Sequence, residues 1–369
     1  MSPAAVAAAG LAALAAGMGI GRFAFTPILP LMQAEGTLTL AGGGWLAAAN
    51  YAGYLAGALT ATLVPPSAAV RVGLAVTALS TLAMGLDERF ASWVALRAVG
   101  GAASAWILIH VSAWCLARLP LARPALSGTV YAGVGAGAAL AGALCLAALR
   151  FQLAARDVWL ALGAIALVAA VALWPLFAES KKAAAHAAPL QWSTQSLLLV
   201  ACYGAFGFSY IIPATFIPAF ARETLGDAAL YGWAWPLFGA AAAASTVAAA
   251  PLVRRLGARS VWIGGHLVMA LGLLAPLVLP GAAGIMACAL CVGVTFMVIT
   301  MAGLQEARRL FGAGVLAAMT AGFAAGQIAG PAFVSVLSHA GGRPEHAWIG
   351  ACAVLVAAAA VLFFRRPYP

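Results

Sequence analysis

Apolar residues along this chain do not alternate with polar ones; they run in long blocks separated by short polar or basic breaks. Stretches without a charged residue cover 1–21, 36–70, 98–117, 124–149, 158–178, 183–221, 260–305, 310–342 and 346–364. A helix needs roughly 20 apolar residues to cross the hydrocarbon core of a bilayer, and most of these blocks have room for one. The longest, 260–305, exceeds a single crossing, and Pro280-Gly281 supplies a turn near its middle. The pattern predicts twelve spans, near 4–33, 42–63, 70–87, 90–117, 125–149, 157–177, 195–221, 229–252, 260–279, 282–304, 313–338 and 346–364. A membrane β-barrel would show segments of about ten residues with alternating polarity, which the Ala/Leu/Gly/Val runs lack. Lipid leaves backbone groups no partner beyond their own segment, so the spans are helices.

Composition agrees and narrows the class. Hydrophobic residues make up 65% of the chain and charged residues 8%, against about 45–50% and about 25% in soluble domains. That supply of charge cannot build a water-facing surface, so soluble, disordered and disulfide-scaffold classes are all excluded. The net charge of +10 follows a topology. With twelve spans both ends lie on one side, whose loops hold Arg71, Arg118, Arg123, Lys181, Lys182, Arg254, Arg255, Arg259, Arg308, Arg309, Arg365 and Arg366. The opposite side holds only Arg89, Arg150, Arg156, Arg222 and Arg343. The positive-inside rule then puts both termini in the cytoplasm. Nucleic-acid binding would require a basic face on a soluble surface, and is not expected. The Ala-rich start lacks a basic n-region, so 1–33 is expected to be an uncleaved first span.

A repeat divides the chain. The soluble linker 178–194, AESKKAAAHAAPLQWST, separates an N-terminal bundle of six spans (1–177) from a C-terminal one (195–369). An offset of 188 superposes Gly19 on Gly207, Pro30 on Pro218, Glu35 on Glu223, Gly44-Trp45 on Gly232-Trp233, and Arg71 on Arg259. An offset of 189 aligns Gly133 and Gly137 with Gly322 and Gly326. Gly matches are cheap in this composition; Trp, Pro, Glu and Arg matches at one offset are not. The expected fold class is therefore an all-α polytopic membrane protein with twelve transmembrane helices in two pseudo-symmetric six-helix halves. Two halves of like topology suit a secondary transporter with a central site between them.

Candidate functional residues are the polar groups inside spans. Arg22, in GMGIGRFAFTPILP, sits at membrane depth, where a cation costs on the order of 3 kcal/mol and faces a cavity or a partner. One reading makes it an anion-attracting group in the substrate path, the other a structural Arg bonded to carbonyls where Gly17, Gly19 and Gly21 loosen the helix. Tyr210 occupies the equivalent place in the second half. Asn50, Tyr51, Tyr203 and Thr300 complete the expected polar lining. Arg97, near the outer end of span four, is either a gating or proton-linked group or one that snorkels to the interface. His110 lies about 220° around the helix from it, in a stripe with Trp106 and Trp114. No carboxylate lies near a span centre: Glu35 and Glu223 stand at outer ends and Glu306 at an inner one. This counts against a cationic cargo, and leaves proton coupling to His110, Arg97 or the span-end Glu35 and Glu223.

Other features point to packing. Cys288 and Cys291 form a CxxC with no second pair or His beside it, so no metal and no cofactor is expected. The stripes Gly53/Gly57, Gly133/Gly137/Ala141 and Gly322/Gly326/Gly330 allow helices to approach closely in lipid. Pro27, Pro30, Pro213 and Pro218 are expected to break the first and seventh spans.

Several segments resemble the YbfB/YjiJ family of the major facilitator superfamily: GIGRFAFTPILPLM, ANYAGYLAGAL, YAGVGAG, YGAFGFSYIIPATFIPAFAR, QEARRL and GQIAGP. The resemblance spans both halves. It implies that spans 1, 4, 7 and 10 line the cavity and 2, 5, 8 and 11 join the halves, placing Arg22, Arg97 and Tyr210 on lining helices and His266 on a peripheral one. The expectation is a secondary active transporter of the bacterial inner membrane that works by rocker-switch alternating access. Its partners would be a small solute, favoured as an anionic or zwitterionic metabolite, the lipid bilayer and coupling protons, and it would be a monomer. An exporter of lipophilic compounds is the alternative. Remoter ones are an intramembrane serine protease using Ser209 and His266, and a non-transporting scaffold.

Overall fold

A computed structural model of the chain describes residues 1–120, 123–177, 192–225, 232–279, 281–312, 314–339 and 344–364. Twelve helical spans carry them: α1 (Pro3–Ala34), α2 (Leu40–Thr60), α3 (Pro66–Leu86), α4 (Phe90–Arg118), α5 (Pro124–Phe151), α6 (Ala155–Leu173), α7 (Thr194–Leu225), α8 (Ala234–Leu256), α9 (Ala258–Val278), α10 (Ala282–Phe311), α11 (Val315–His339) and α12 (Pro344–Phe364). No strand occurs among the described residues. Eleven helices hold a stretch long and apolar enough to cross a membrane. The exception is α2, whose hydropathy is lowered by Asn50, Tyr51, Tyr54 and five glycines. It is packed between α4 and α11. The linker expected over 178–194 falls largely on 178–191, outside the described residues.

The two sets of six spans repeat one packing scheme. Helix α1 packs on α5, α2 on α4 and α3 on α6; α7 packs on α11, α8 on α10 and α9 on α12. The two largest contacts between the sets are α5 with α8 and α2 with α11, and the same six-helix shift relates them. Individual residues keep the register. Arg71 lies over the Trp174 ring at 4.2 Å, and Arg259 donates from Nε to the Leu362 carbonyl at 2.7 Å. The offset of 188 that pairs the arginines also pairs Trp174 with Leu362. Trp45 and Trp233, matched by that offset, are both exposed near the start of their spans. There an indole suits the membrane–water interface.

Glycine sets the closest approaches. A Cβ at Gly133 would meet Leu11, and one at Gly137 would meet Ala15 and Gly19, so this stripe seats α5 on α1. Gly326 meets Gly204 and Phe208 in the equivalent α11–α7 contact. A second stripe on α5, Gly128, Gly135 and Gly142, meets Thr246, Ala243 and Pro236 on α8. Small residues bring backbones together where lipid offers no hydrophobic drive between helices.

Two expectations about helix breaks need correction. The α1 helix does change course, but upstream of its prolines, through a π-helical turn at Ala15–Ile20 and a turn over 21–24. Gly21 and Phe23 donate five residues back, to Ala16 and Met18 at 3.0 and 3.1 Å, the widened ladder of a π-bulge. The glycines at 17, 19 and 21, pressed against Ile107, Gly137 and Thr77, take this geometry at little steric cost. The α7 helix runs unbroken through Pro213, since one missing donor can be absorbed by neighbouring groups.

Candidate functional site

The α1 break turns Arg22 into the middle of the bundle. Only 3% exposed, its guanidinium lies 3.7 Å above the Tyr54 ring. Tyr51 follows at 5.7 Å, with Phe23 and Phe323 at 5.6 and 5.9 Å. Tyr203 and Tyr210 join this cluster through Phe323, at 5.5 and 6.3 Å. Its Nη2 donates to Oε1 of Gln327 on α11, a bond across the two sets of helices. Nε and Nη1 have no hydrogen-bond partner, nor does Nε2 of Gln327. Among the described residues the ion pairs are Arg89–Asp87, Arg259–Glu306 and Arg309–Glu306, so no carboxylate neutralises Arg22. A buried guanidinium with two open donors, faced by π-rich rings, suits an anion with a flat or apolar body.

Arg97 is used differently. It does not snorkel: at 4% exposure it donates from Nη1 and Nη2 to the carbonyls of Gly21 and Arg22, both at 3.2 Å. Its guanidinium also lies 4.8 Å over Phe25. Ser104 donates to the Gly17 carbonyl at 2.7 Å. These two α4 side chains satisfy carbonyls that the α1 break sets free, and so hold Arg22 in place. Asn50 also serves packing, donating from Nδ2 to the Arg97 carbonyl at 3.0 Å.

The remaining sequence candidates scatter. Tyr210 stacks on Phe296 at 4.3 Å, and Phe206 packs on both Phe296 and Phe323, giving the site an aromatic wall. Tyr203 reaches Thr300, whose hydroxyl donates to the Phe296 carbonyl at 3.0 Å. His110 is half-buried, bonded through Nε2 to the Ala61 carbonyl at 3.0 Å, while Trp106 donates to Thr60; that stripe closes the end of α2. Glu35 accepts from the Ala155 amide at 2.6 Å and caps α6. The Glu223 side chain lies outside the described residues. Ser209 donates to the Ala351 carbonyl at 2.9 Å, whereas His266, fully buried and not peripheral in its side chain, packs against Phe206 and Trp262. The two do not form a nucleophile–base pair.

Gln327 and Tyr54 are the site residues that sequence reasoning missed. Both stood inside quoted segments, GQIAGP and ANYAGYLAGAL. Gln327 is the sole amide in a charge-free span, the one signal available for it.

A cavity of 1320 Å³ opens at the end of the bundle that carries the arginine-rich loops. Arg254, Arg259, Arg308 and Arg309 line it with a single acid, Glu306. Glu306 is 2% exposed and accepts two bonds from Arg309 at 3.1 Å. The mouth is therefore strongly positive.

Comparisons with known proteins place the fold. The family model described as an uncharacterised MFS-type transporter, YbfB, matches residues 14–363. No curated protein matches the chain. Among solved structures it is similar to the human organic anion transporter MFSD10 (TETRAN), at 16% identity and a TM-score of 0.70, over 96% of this chain and 99% of that one. It is also similar to FucP, a major facilitator superfamily transporter in its outward conformation, at 14% identity and a TM-score of 0.71, over 100% and 99%. At such identities the likeness establishes a common fold. With the family match across nearly the whole chain, it follows that this protein belongs to the YbfB family of MFS-type membrane transporters.

Proposed function

We propose that the chain is a secondary active transporter of the bacterial inner membrane that moves a small anionic or zwitterionic metabolite, with Arg22 holding the anionic group. One observation carries this reading: a buried guanidinium with two unpartnered donors and no carboxylate counter-ion among the described residues. Burying an uncompensated charge is costly, and a ligand that arrives with the opposite charge offsets that cost. The bundles 1–177 and 195–369, joined by 178–194, rock about the α5–α8 contact, opening on the α2–α11 side, and expose Arg22 to each side in turn. The termini and the arginine-lined cavity face the cytoplasm, following the positive-inside rule. There the basic mouth concentrates anions near the path.

Accumulating an anion against an inside-negative potential opposes about 2.3 kcal/mol per charge per 100 mV. A co-transported cation is needed for uptake, and a proton is the expected one. An imposed pH gradient, acid outside, then accelerates net uptake in liposomes.

The test is a thermal-shift screen of purified protein against anionic, neutral and cationic compounds, with Arg22→Ala alongside. A ligand bound to the native state raises apparent stability by mass action. Anionic hits that vanish in Arg22→Ala support the reading. Lipophilic cations that bind regardless of Arg22 replace it with the second reading, an exporter of lipophilic compounds, which the aromatic wall of Phe206, Phe296 and Phe323 favours.

A further inference from the structure

The geometry points to a cargo of a narrower kind, an aromatic monocarboxylate, and to Gln327 as the group it displaces from Arg22. This rests on the reading of Arg22 as the cargo's anion site.

Four observations carry it. First, Arg22 is the more open of the two buried guanidiniums here: it keeps Nε and Nη1 unpartnered, whereas Arg97 gives both terminal nitrogens to the Gly21 and Arg22 carbonyls and keeps only Nε. A single available cation matches a single negative charge, and a dicarboxylate would leave its second charge unpaired in an apolar setting. Second, the described surroundings of Arg22 are aromatic: Tyr54 and Phe323 face the guanidinium, and Phe206, Tyr210 and Phe296 extend the same cluster from Phe323. Such walls favour a ring over an aliphatic chain of equal charge. Third, no described acid stands by to receive an ammonium, since Glu306, the acid buried in the bundle, is held by Arg309 and Arg259 at the far end. A zwitterion is therefore the poorer ligand.

Fourth, Gln327 supplies one neutral acceptor, Oε1, where a carboxylate would offer two charged oxygens to the same planar fork. Its own Nε2 stays unpartnered, so the pairing leaves polar groups open on both sides. Gln327 thus stands in for the cargo, and its bond spans α1 and α11. A carboxylate that takes the guanidinium releases a tie between the two sets of helices, so that cargo binding loosens the contact that must open.

The experiment is calorimetric titration of the full-length protein with 3-phenylpropionate, propionate, succinate and phenylalanine, repeated with Gln327→Ala and Gln327→Glu. We expect 3-phenylpropionate to bind about tenfold tighter than the other three, from ring contacts and one matched charge. Gln327→Ala, which removes the competitor, should tighten it by about threefold, the size of one modest hydrogen bond. Gln327→Glu places a permanent carboxylate on Arg22 and should weaken it at least about tenfold. Equal affinity for all four compounds overturns the cargo class while the anion reading stands. Weaker binding to Gln327→Ala overturns displacement and makes Gln327 a cargo ligand. Absence of binding by every anion overturns the reading of Arg22 itself. Should Gln327→Glu not fold, the alanine variant and the ligand series decide.

Discussion

Two buried arginines that meet at the α1 break, Arg22 on α1 and Arg97 on α4, do opposite work, and the difference lies in what their N–H groups meet. Arg97 spends two donors on carbonyls that the α1 break exposes, while Arg22 spends one on Gln327 and keeps two open. Removing Arg97 leaves two buried carbonyls unsatisfied, so Arg97→Met should lower stability by about 2–3 kcal/mol in detergent unfolding. Removing Arg22 loses a cation–π contact and a hydrogen bond but also relieves an uncompensated charge. These effects offset, and Arg22→Met should leave unliganded stability within about 1 kcal/mol. A large loss in that variant would mark Arg22 as structural. The sequence marked both arginines, Arg22 at membrane depth and Arg97 near the outer end of span four, because charge inside a span stands out against an apolar background. It could not distinguish their duties, since the carbonyls that occupy Arg97 exist only once α1 has unwound. Gln327 was harder still: a neutral amide barely disturbs hydropathy, and the repeat sets an alanine, Ala138, in its place.

Within single helices, spacing and breaks answer to glycine more than to proline. A Cβ at Gly53 would collide with the Ala98 carbonyl, whereas one at Gly44 would meet nothing within 4 Å. Gly53→Ala should therefore destabilise by about 1–3 kcal/mol through forced separation of α2 from α4. Gly44→Ala should gain up to about 1 kcal/mol from helix propensity alone. Thermal unfolding of both variants in one detergent compares them directly, and equal shifts would contradict the close packing of α2 on α4. Glu35 gives a third case, because its carboxylate caps α6 at Ala155. Glu35→Ala should cost about 0.5–2 kcal/mol without altering ligand affinity. Span positions were readable because lipid thickness dictates their length. The α1 break was anticipated at Pro27 and Pro30, but the triplet Gly17, Gly19 and Gly21 governs it, since three close helix contacts there reward a wide turn.

Across the whole molecule, the repeat visible at an offset of 188 becomes a shared packing scheme with two unlike seams. The α5–α8 seam is backbone against backbone through Gly128, Gly135 and Gly142. The α2–α11 side is bridged by side chains, Tyr54 against Phe323 at 6.5 Å, beside the Arg22–Gln327 bond. Rigid backbone contact suits a pivot, and exchangeable side-chain contacts suit the face that opens. Hydropathy alone does not say which helices join the halves, because α5 shows small residues on two faces and nothing local says which faces α8; the family resemblance implied spans 2, 5, 8 and 11, and α5–α8 and α2–α11 are the pairs found. The most direct test of the central claim, that Arg22 carries the charge of a transported anion, is counterflow. Liposomes holding the reconstituted protein are preloaded with unlabelled carboxylates, and entry of the labelled compound is followed for the wild type and Arg22→Ala. The account predicts rapid exchange of carboxylates by the wild type and none by Arg22→Ala, with the variant folded by thermal melt. Carboxylate exchange that persists in Arg22→Ala, or exchange confined to lipophilic cations, would contradict it.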